Sequence, residues 1–218
     1  MQALTQQRIR IRFGKRGPLR FVGHLDLSIT WERALRRARV PLEYTQGFNP
    51  RPRMQFAAAL PVGVTSECEY LDIWLTERLD GYFPDDWIER LNAASPPGLP
   101  VCDLSEVPIR SAALPTLVTS SEYVFTLVED AASRDELQAR IDALLARSTI
   151  ERMGHKSAYD LRPRIFDLSL DADGNLIAHL SSNERANARP DDLLDALGFA
   201  PHQAQMHRRH LFLKDSDE

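Results

Sequence analysis

The sequence predicts an α+β fold made of two successive β-α-β-β-α-β units, and three observations predict it. Near the start of the first half, apolar and polar residues alternate in a short run, the period that gives a strand one buried face, and 122–128 reads as a strand at the same place in the second half. Each run is followed by a stretch whose apolar residues recur every three to four positions, the period of an amphipathic helix. Clusters of Gly, Pro and Asp then divide the remainder into pieces that fit two further strands and a second, shorter helix.

In the first unit, residues 1–107, QRIRIRF (7–13) alternates Arg8, Arg10 and Arg12 with Ile9, Ile11 and Phe13, which makes it a strand. Gly14 and Gly17-Pro18 break it, and 19–22 reads as a short extended continuation. From His24 to Arg39, Leu27, Trp31, Ala34, Leu35 and Ala38 share one helical face, and the helix must end before Pro41. A basic loop over 40–53 follows. Residues 53–60 read as a strand, Pro61-Val62-Gly63 as a turn, and 69–76 as a strand with Leu71, Ile73 and Leu75 on one face and Tyr70, Asp72 and Trp74 on the other. A helix over 85–94 is stopped by Ser95-Pro96-Pro97-Gly98, and 99–107 closes the unit as a strand.

Residues 108–121 read as a linker. The second unit, 122–214, repeats the order with strands at 122–128, 164–170, 176–180 and 205–214 and helices at 134–147 and 190–197. Asp171-Ala172-Asp173-Gly174-Asn175 suits a hairpin turn, and Pro190 and Gly198 sit where a helix prefers its Pro and its Gly. A basic loop over 148–164 occupies the place of the 40–53 loop, and 215–218 is a tail. This order is the ferredoxin-like topology, with both helices on one face of a four-stranded antiparallel sheet. It makes the first and third strands neighbours, so Arg8, Arg10 and Arg12 should lie beside Tyr70, Asp72 and Trp74. That arrangement serves either RNA binding by arginines and aromatics or a cross-strand Arg–Asp pair.

Charge narrows the function classes. The chain of 218 residues has a net charge of −4, yet residues 1–60 hold twelve Arg and Lys against three acids, while 61–146 hold five against sixteen. A basic first quarter on an acidic remainder can face a polyanion on one side. The two cysteines, Cys68 and Cys102, support neither a disulfide framework nor a Cys-based metal motif, and no cofactor is expected. No run spans a bilayer and the N-terminus lacks a secretory apolar core, so the expected location is the cytoplasm.

The stretch YTQGFNPRPRMQFAAALPVG (44–63) is built for recognition. Pro50 and Pro52 fix their own φ and press Asn49 and Arg51 toward extended geometry, so Arg51 is held outward with little entropy left to lose. Arg51 and Arg53 are candidates for phosphates, Tyr44 and Phe48 for stacking on bases, and Gln46 and Asn49 for polar contacts. In the second loop Lys156, Arg162 and Arg164 are the counterparts, and Arg51-Pro52-Arg53 matches Arg162-Pro163-Arg164. On this reading the two loops meet over one site. His24, at the start of the first helix, is the candidate for a general base toward a ribose hydroxyl. His207 and His210, three apart on a strand, make a poor metal pair.

The block FVGHLDLSITWERALRRARVPLEYTQGFNPRPRMQFAAALPVGVTSECEYLDIWL, with YDLRPRI, ARPDDLLDALG and HRRHLF further on, resembles the bacterial radical-SAM-linked family of unknown function. That family is a stand-alone protein or C-terminal module accompanying a B12-binding radical SAM protein, and the resemblance covers nearly the whole chain. It implies a radical SAM partner and supplies no catalytic residue. The chain holds no C-x-x-x-C-x-x-C motif, so radical chemistry is not expected of it alone. The tandem pattern is also similar, at fold level, to the CRISPR RNA-processing endonucleases. The expectation is a non-catalytic RNA-binding or substrate-presenting accessory to a radical SAM enzyme in tRNA or rRNA modification. The alternatives are a metal-independent endoribonuclease using His24 and a structural protein–protein adaptor.

Overall fold

Ile9, Ile11 and Phe13 are fully buried on one side of the first strand, while Arg10 and Arg12 stay partly accessible on the other. In the computed structural model, which describes residues 5–128, 131–154, 157–183 and 185–214, this strand is β1, Gln7–Lys15. A 3-10 turn, Gly17–Phe21, takes the place of the extended continuation expected at 19–22. Pro18 sits in its first turn, where a fixed φ favours helix and no N–H is needed. Helix α1, His24–Arg37, buries Leu27, Trp31, Ala34 and Leu35. Phe13 meets Trp31 edge-on with ring centroids 4.9 Å apart.

Strand β2, Met54–Phe56, is shorter than the expected 53–60, because the chain bends away after Ala57 toward the Pro61 turn. Strand β3, Thr65–Leu75, is longer than expected, helix α2, Asp85–Ala94, has the expected bounds, and strand β4 spans Val101–Val107. The sheet of this unit runs β4-β1-β3-β2 with antiparallel pairing at each step. Leu71, Ile73 and Leu75 of β3 join Trp31, Leu35, Trp87 and Leu91 in one apolar core.

The segment expected as a linker, 108–121, is built into the fold. It holds a four-residue helix α3, Leu114–Leu117, and the start of strand β5, Val118–Leu127. Leu114, Leu117 and Val118 are at most 3% exposed, so apolar burial, which a linker would not provide, fixes this stretch. The chain divides at Val118/Thr119 into two units. One runs up to Val118 and takes back Lys214, and the other spans Thr119–Leu213.

In the second unit, helix α4, Arg134–Leu145, opens on a capping box in which Ser133 Oγ accepts from Glu136 N and Glu136 Oε2 accepts from Ser133 N. Strands β6, Glu151–Met153, and β7, Ala158–Asp160, pair as a small antiparallel hairpin. A 3-10 turn, Arg162–Arg164, leads into strand β8, Ile165–Leu170, and strand β9 is Leu176–Ser181. Helix α5, Pro190–Ala196, and strand β10, Ala204–Leu213, complete the unit. Asp171 Oδ1 accepts from Asp173 N and Asn175 N, which closes the β8–β9 turn as the Asp-rich sequence favours. The strand order is β10-β5-β9-β8. The protein is thus a mixed α+β chain with mostly antiparallel sheet. No helix among the described residues is long and apolar enough to cross a membrane.

Candidate nucleic-acid interface

The segment between α1 and β2 is a hairpin extension of the first unit. Glu43 N donates to Trp74 O and Arg53 N to Glu43 O, which fastens the base of the hairpin beside β3. Thr45 N donates to Arg51 O, Arg51 N donates back to Thr45 Oγ1, and Tyr44 and Pro52 form an isolated bridge. Pro50 and Pro52 lack N–H groups and require none of these bonds, so they stiffen the return arm without leaving a donor unpaired. Gln46, Phe48 and Asn49 lie at the exposed tip, and Phe48 is fully exposed to solvent.

Both arginines of the hairpin carry partners, yet both remain at the surface. Arg51 lies 3.5 Å from Glu32 of α1, with the arginine side chain 66% exposed and the glutamate 15%. Arg53 lies 3.1 Å from Glu43, at 44% and 17%. The carboxylates face inward and the guanidiniums outward, so the charge offered to solvent is positive. Exposed pairs of this kind contribute about 0–1 kcal/mol, small enough for a phosphate to replace the carboxylate. The guanidinium of Arg36, on α1, lies 5.9 Å from the ring centre of Tyr44 and extends the basic surface along the helix with exposed Arg33. The loop's own sequence does not point to Arg36 and Glu32. Their four-residue spacing on the helix is the signal that points to a shared face.

Beneath the hairpin, β1 and β3 are neighbours as expected, and their antiparallel register sets Arg8 opposite Trp74, Arg10 opposite Asp72 and Arg12 opposite Tyr70. Asp72 is fully buried and accepts from both neighbours: Arg8 Nη2 at 2.6 Å, Arg10 Nε at 2.8 Å and Arg10 Nη2 at 3.0 Å. Arg8, itself 1% exposed, also donates to Ser111 O and Ala112 O. Trp74 is stacked by both Arg8 and Arg53, 4.7 and 4.5 Å from its ring centre. Its indole N–H is buried without a hydrogen-bond partner among the described residues. A cleft of about 320 Å³ opens here, lined by Arg8, Arg53, Gln55, Trp74 and Ser111 among others. The cross-strand Arg–Asp pairing is therefore present, and it withdraws Arg8 and Trp74 from solvent.

The second basic loop is more structured than a loop. Asp160 Oδ1 accepts from Ile150 N and Arg162 N, Leu161 N donates to Ile150 O, and Leu161 is fully buried. Those contacts turn 148–164 into the β6–β7 hairpin and a 3-10 turn. Arg162 Nε donates to Leu145 O at the end of α4, where a cation meets orphan carbonyls. Arg164 donates to Asn187 O and lies 4.0 Å from the ring centre of Tyr159. Arg152 donates to Asp192 O and lies 3.5 Å from Asp195. Lys156 lies outside the described residues, as does His155. The arginines in this segment are thus engaged with neighbouring carbonyls and rings, unlike Arg51.

His24 opens α1 with its ring edge-on to Phe56, centroids 5.1 Å apart, and nothing among the described residues hydrogen-bonds to its imidazole. No group of three or more His, Cys, Asp or Glu among the described residues is arranged to hold a metal ion.

A family model described as "Uncharacterized protein conserved in bacteria (DUF2344)" matches residues 8–190, and the chain belongs to that family. No curated protein matches the chain. Among solved structures, one chain of the "Crystal Structure of a Cbf5-Nop10-Gar1 Complex" is similar with a TM-score of 0.48 and 12% identity, over 95% of this chain and 50% of that one. The present chain thus spans about half the length of that structural neighbour.

Proposed function

We propose that the protein is a non-catalytic RNA-binding or substrate-presenting accessory of a B12-binding radical SAM enzyme in tRNA or rRNA modification, built of two ferredoxin-like units. The observation that carries the RNA-binding reading is the stiff hairpin that presents a fully exposed Phe48 beside outward-facing Arg51 and Arg53. An exposed ring has little to gain in water and much to gain by stacking on an unpaired base, at about 1–3 kcal/mol per base. The adjacent guanidiniums suit the phosphates of the same strand. The strand orders β4-β1-β3-β2 and β10-β5-β9-β8 support the ferredoxin-like reading of each unit. The radical SAM partner rests on the sequence resemblance, and cytoplasmic work follows from an RNA substrate.

The test is binding of the purified protein to total cellular RNA, followed by recovery of the RNA. The proposal expects RNA that is bound and intact, with binding lost when Phe48, Arg51 and Arg53 are changed to Ala. Cleaved RNA would move the assignment to an endoribonuclease using His24. Absence of binding, with the radical SAM partner still captured by the triple variant, would leave only an adaptor.

A further inference from the structure

The sheet of the second unit carries a row of four rings on one face. His179 on β9 lies 5.2 Å, between centroids, from Phe166 on β8 and 5.0 Å from Phe212 on β10, and Phe212 lies 5.9 Å from His210. Registers place this face opposite the core: Leu180 pairs with Ser121, Ala178 with Tyr123 and Leu168 with Ala178, whereas His179 pairs with Glu122 and Asp167. A register irregularity between Ile165 and Asp167 is what turns Phe166 out of the core alternation. Phe166 is 55% exposed, Phe212 40% and the His210 side chain 54%. Ser120 Oγ lies 2.8 Å from His179 Nε2, a hydrogen bond that fixes the plane of the imidazole in contact with both phenyl rings.

The chemistry of this face selects its occupant. Its exposed surface is made of flat rings, two with polar edges, so it fits flat conjugated groups better than the branched side chains of a protein helix. Charge is graded along the row. At the β10 end Arg209, 40% exposed, lies 2.7 Å from Glu122, 20% exposed, with His210 next to it, so the cation is again the outer partner. Asp167 stands at the β8 end, beside Phe166. A strand laid across the sheet would therefore run its phosphates past β10 and set its bases on the rings. Sheets that stack two or three bases on exposed aromatic residues are an established mode of single-strand recognition.

We propose that the Phe166–His179–Phe212–His210 face is a stacking platform for two or three unpaired bases of single-stranded RNA. The proposal rests on the RNA-binding reading and adds a second contact surface, on other residues than the 44–53 hairpin. The test uses the full chain and an eight-nucleotide oligouridine with a central 2-aminopurine, single-stranded or annealed to a complement. Phe166→Leu with Phe212→Leu keeps apolar surface and removes the rings, and Phe166→Trp with Phe212→Trp keeps the rings.

The wild type should quench the 2-aminopurine, bind the single strand more tightly than the duplex, and lose about 10- to 100-fold in affinity in the leucine pair but not in the tryptophan pair. An unchanged affinity in the leucine pair overturns the platform, whatever the Phe48→Ala variant does. If Phe48→Ala alone weakens binding, the hairpin stands and the platform falls; if the leucine pair alone weakens it, the reverse holds. RNA that binds neither protein overturns both readings. A self-association that disappears in the leucine pair without any change in RNA affinity marks an interface between copies and overturns the platform.

Discussion

Asp72 holds two guanidiniums in a place where one of them has almost no water. With Arg8 at 1% exposure and Asp72 at none, removal of the carboxylate leaves an uncompensated buried cation. Asp72→Ala should therefore destabilise the fold by about 3–5 kcal/mol, read as a lower urea midpoint at unchanged slope. A loss below about 1 kcal/mol would mean that Arg8 finds water or its carbonyl partners suffice. Replacing the three together, Arg8→Met and Arg10→Met with Asp72→Leu, should recover much of the loss, because Asp72 serves both guanidiniums and an apolar set leaves no charge to satisfy. The facing of these residues was legible in the alternation of 7–13 and 69–76, since a period of two leaves no other choice once the strands are neighbours. What the alternation does not carry is that Ser111 and Ala112 supply carbonyls to Arg8. Those contacts come from a segment whose local pattern reads as a linker.

Among the elements, the β6–β7 hairpin and α5 are joined by Tyr159, whose hydroxyl donates to Asp192 Oδ2 at 2.6 Å. Burial, and then this hydrogen bond to a carboxylate, push the Tyr159 phenol up to about 12 from an ordinary 10. The folded state therefore holds this proton more tightly than the unfolded chain. Its contribution to stability is fully present below about pH 10 and is lost as pH rises through about 12. The stability difference between wild type and Tyr159→Phe should shrink across that window in denaturant titrations; a difference independent of pH would show that the phenol is unperturbed. At the start of α4, Ser133→Ala removes one side of the capping box and should cost about 1 kcal/mol, read as a lower thermal midpoint. Helix positions were legible because α1 and α2 carry both period and stop signals and α5 lies between its Pro and its Gly. The short β6 and β7 were not, since three residues are too few to show a period and their positions depend on Asp160 and Leu161. The ring row was equally hidden: Phe166 breaks the alternation of its own strand, and His179 and Phe212 come together only through the sheet. The one local signal was His210 and Phe212 at a spacing of two.

For the whole molecule, the charge asymmetry of the sequence resolves into particular outward-facing groups. In the first unit Arg51 and Arg53 pair with carboxylates that lie further in, so both cations stay on the outer side of their pairs and the basic surface persists. Of the predicted loop residues, Tyr44, Gln46, Phe48, Asn49, Arg51 and Arg53 share one hairpin, a juxtaposition legible in the spacing of Pro50 and Pro52. Arg162 and Arg164 serve their own unit's carbonyls, a role that sequence could not reveal because it depends on where α4 ends and where Asn187 lies. The hairpin account can be tested through salt, because each phosphate contact with a single strand steepens the fall of log K with log salt by about 0.7. The most direct measurement is the affinity for an unstructured single-stranded RNA between about 50 and about 200 mM salt, for the wild type and for Arg51→Ala with Arg53→Ala. The account predicts a falling line for the wild type and a slope shallower by about 1.4 in the variant, two contacts' worth. Parallel lines for the two proteins, or wild-type binding that does not change with salt, would contradict it.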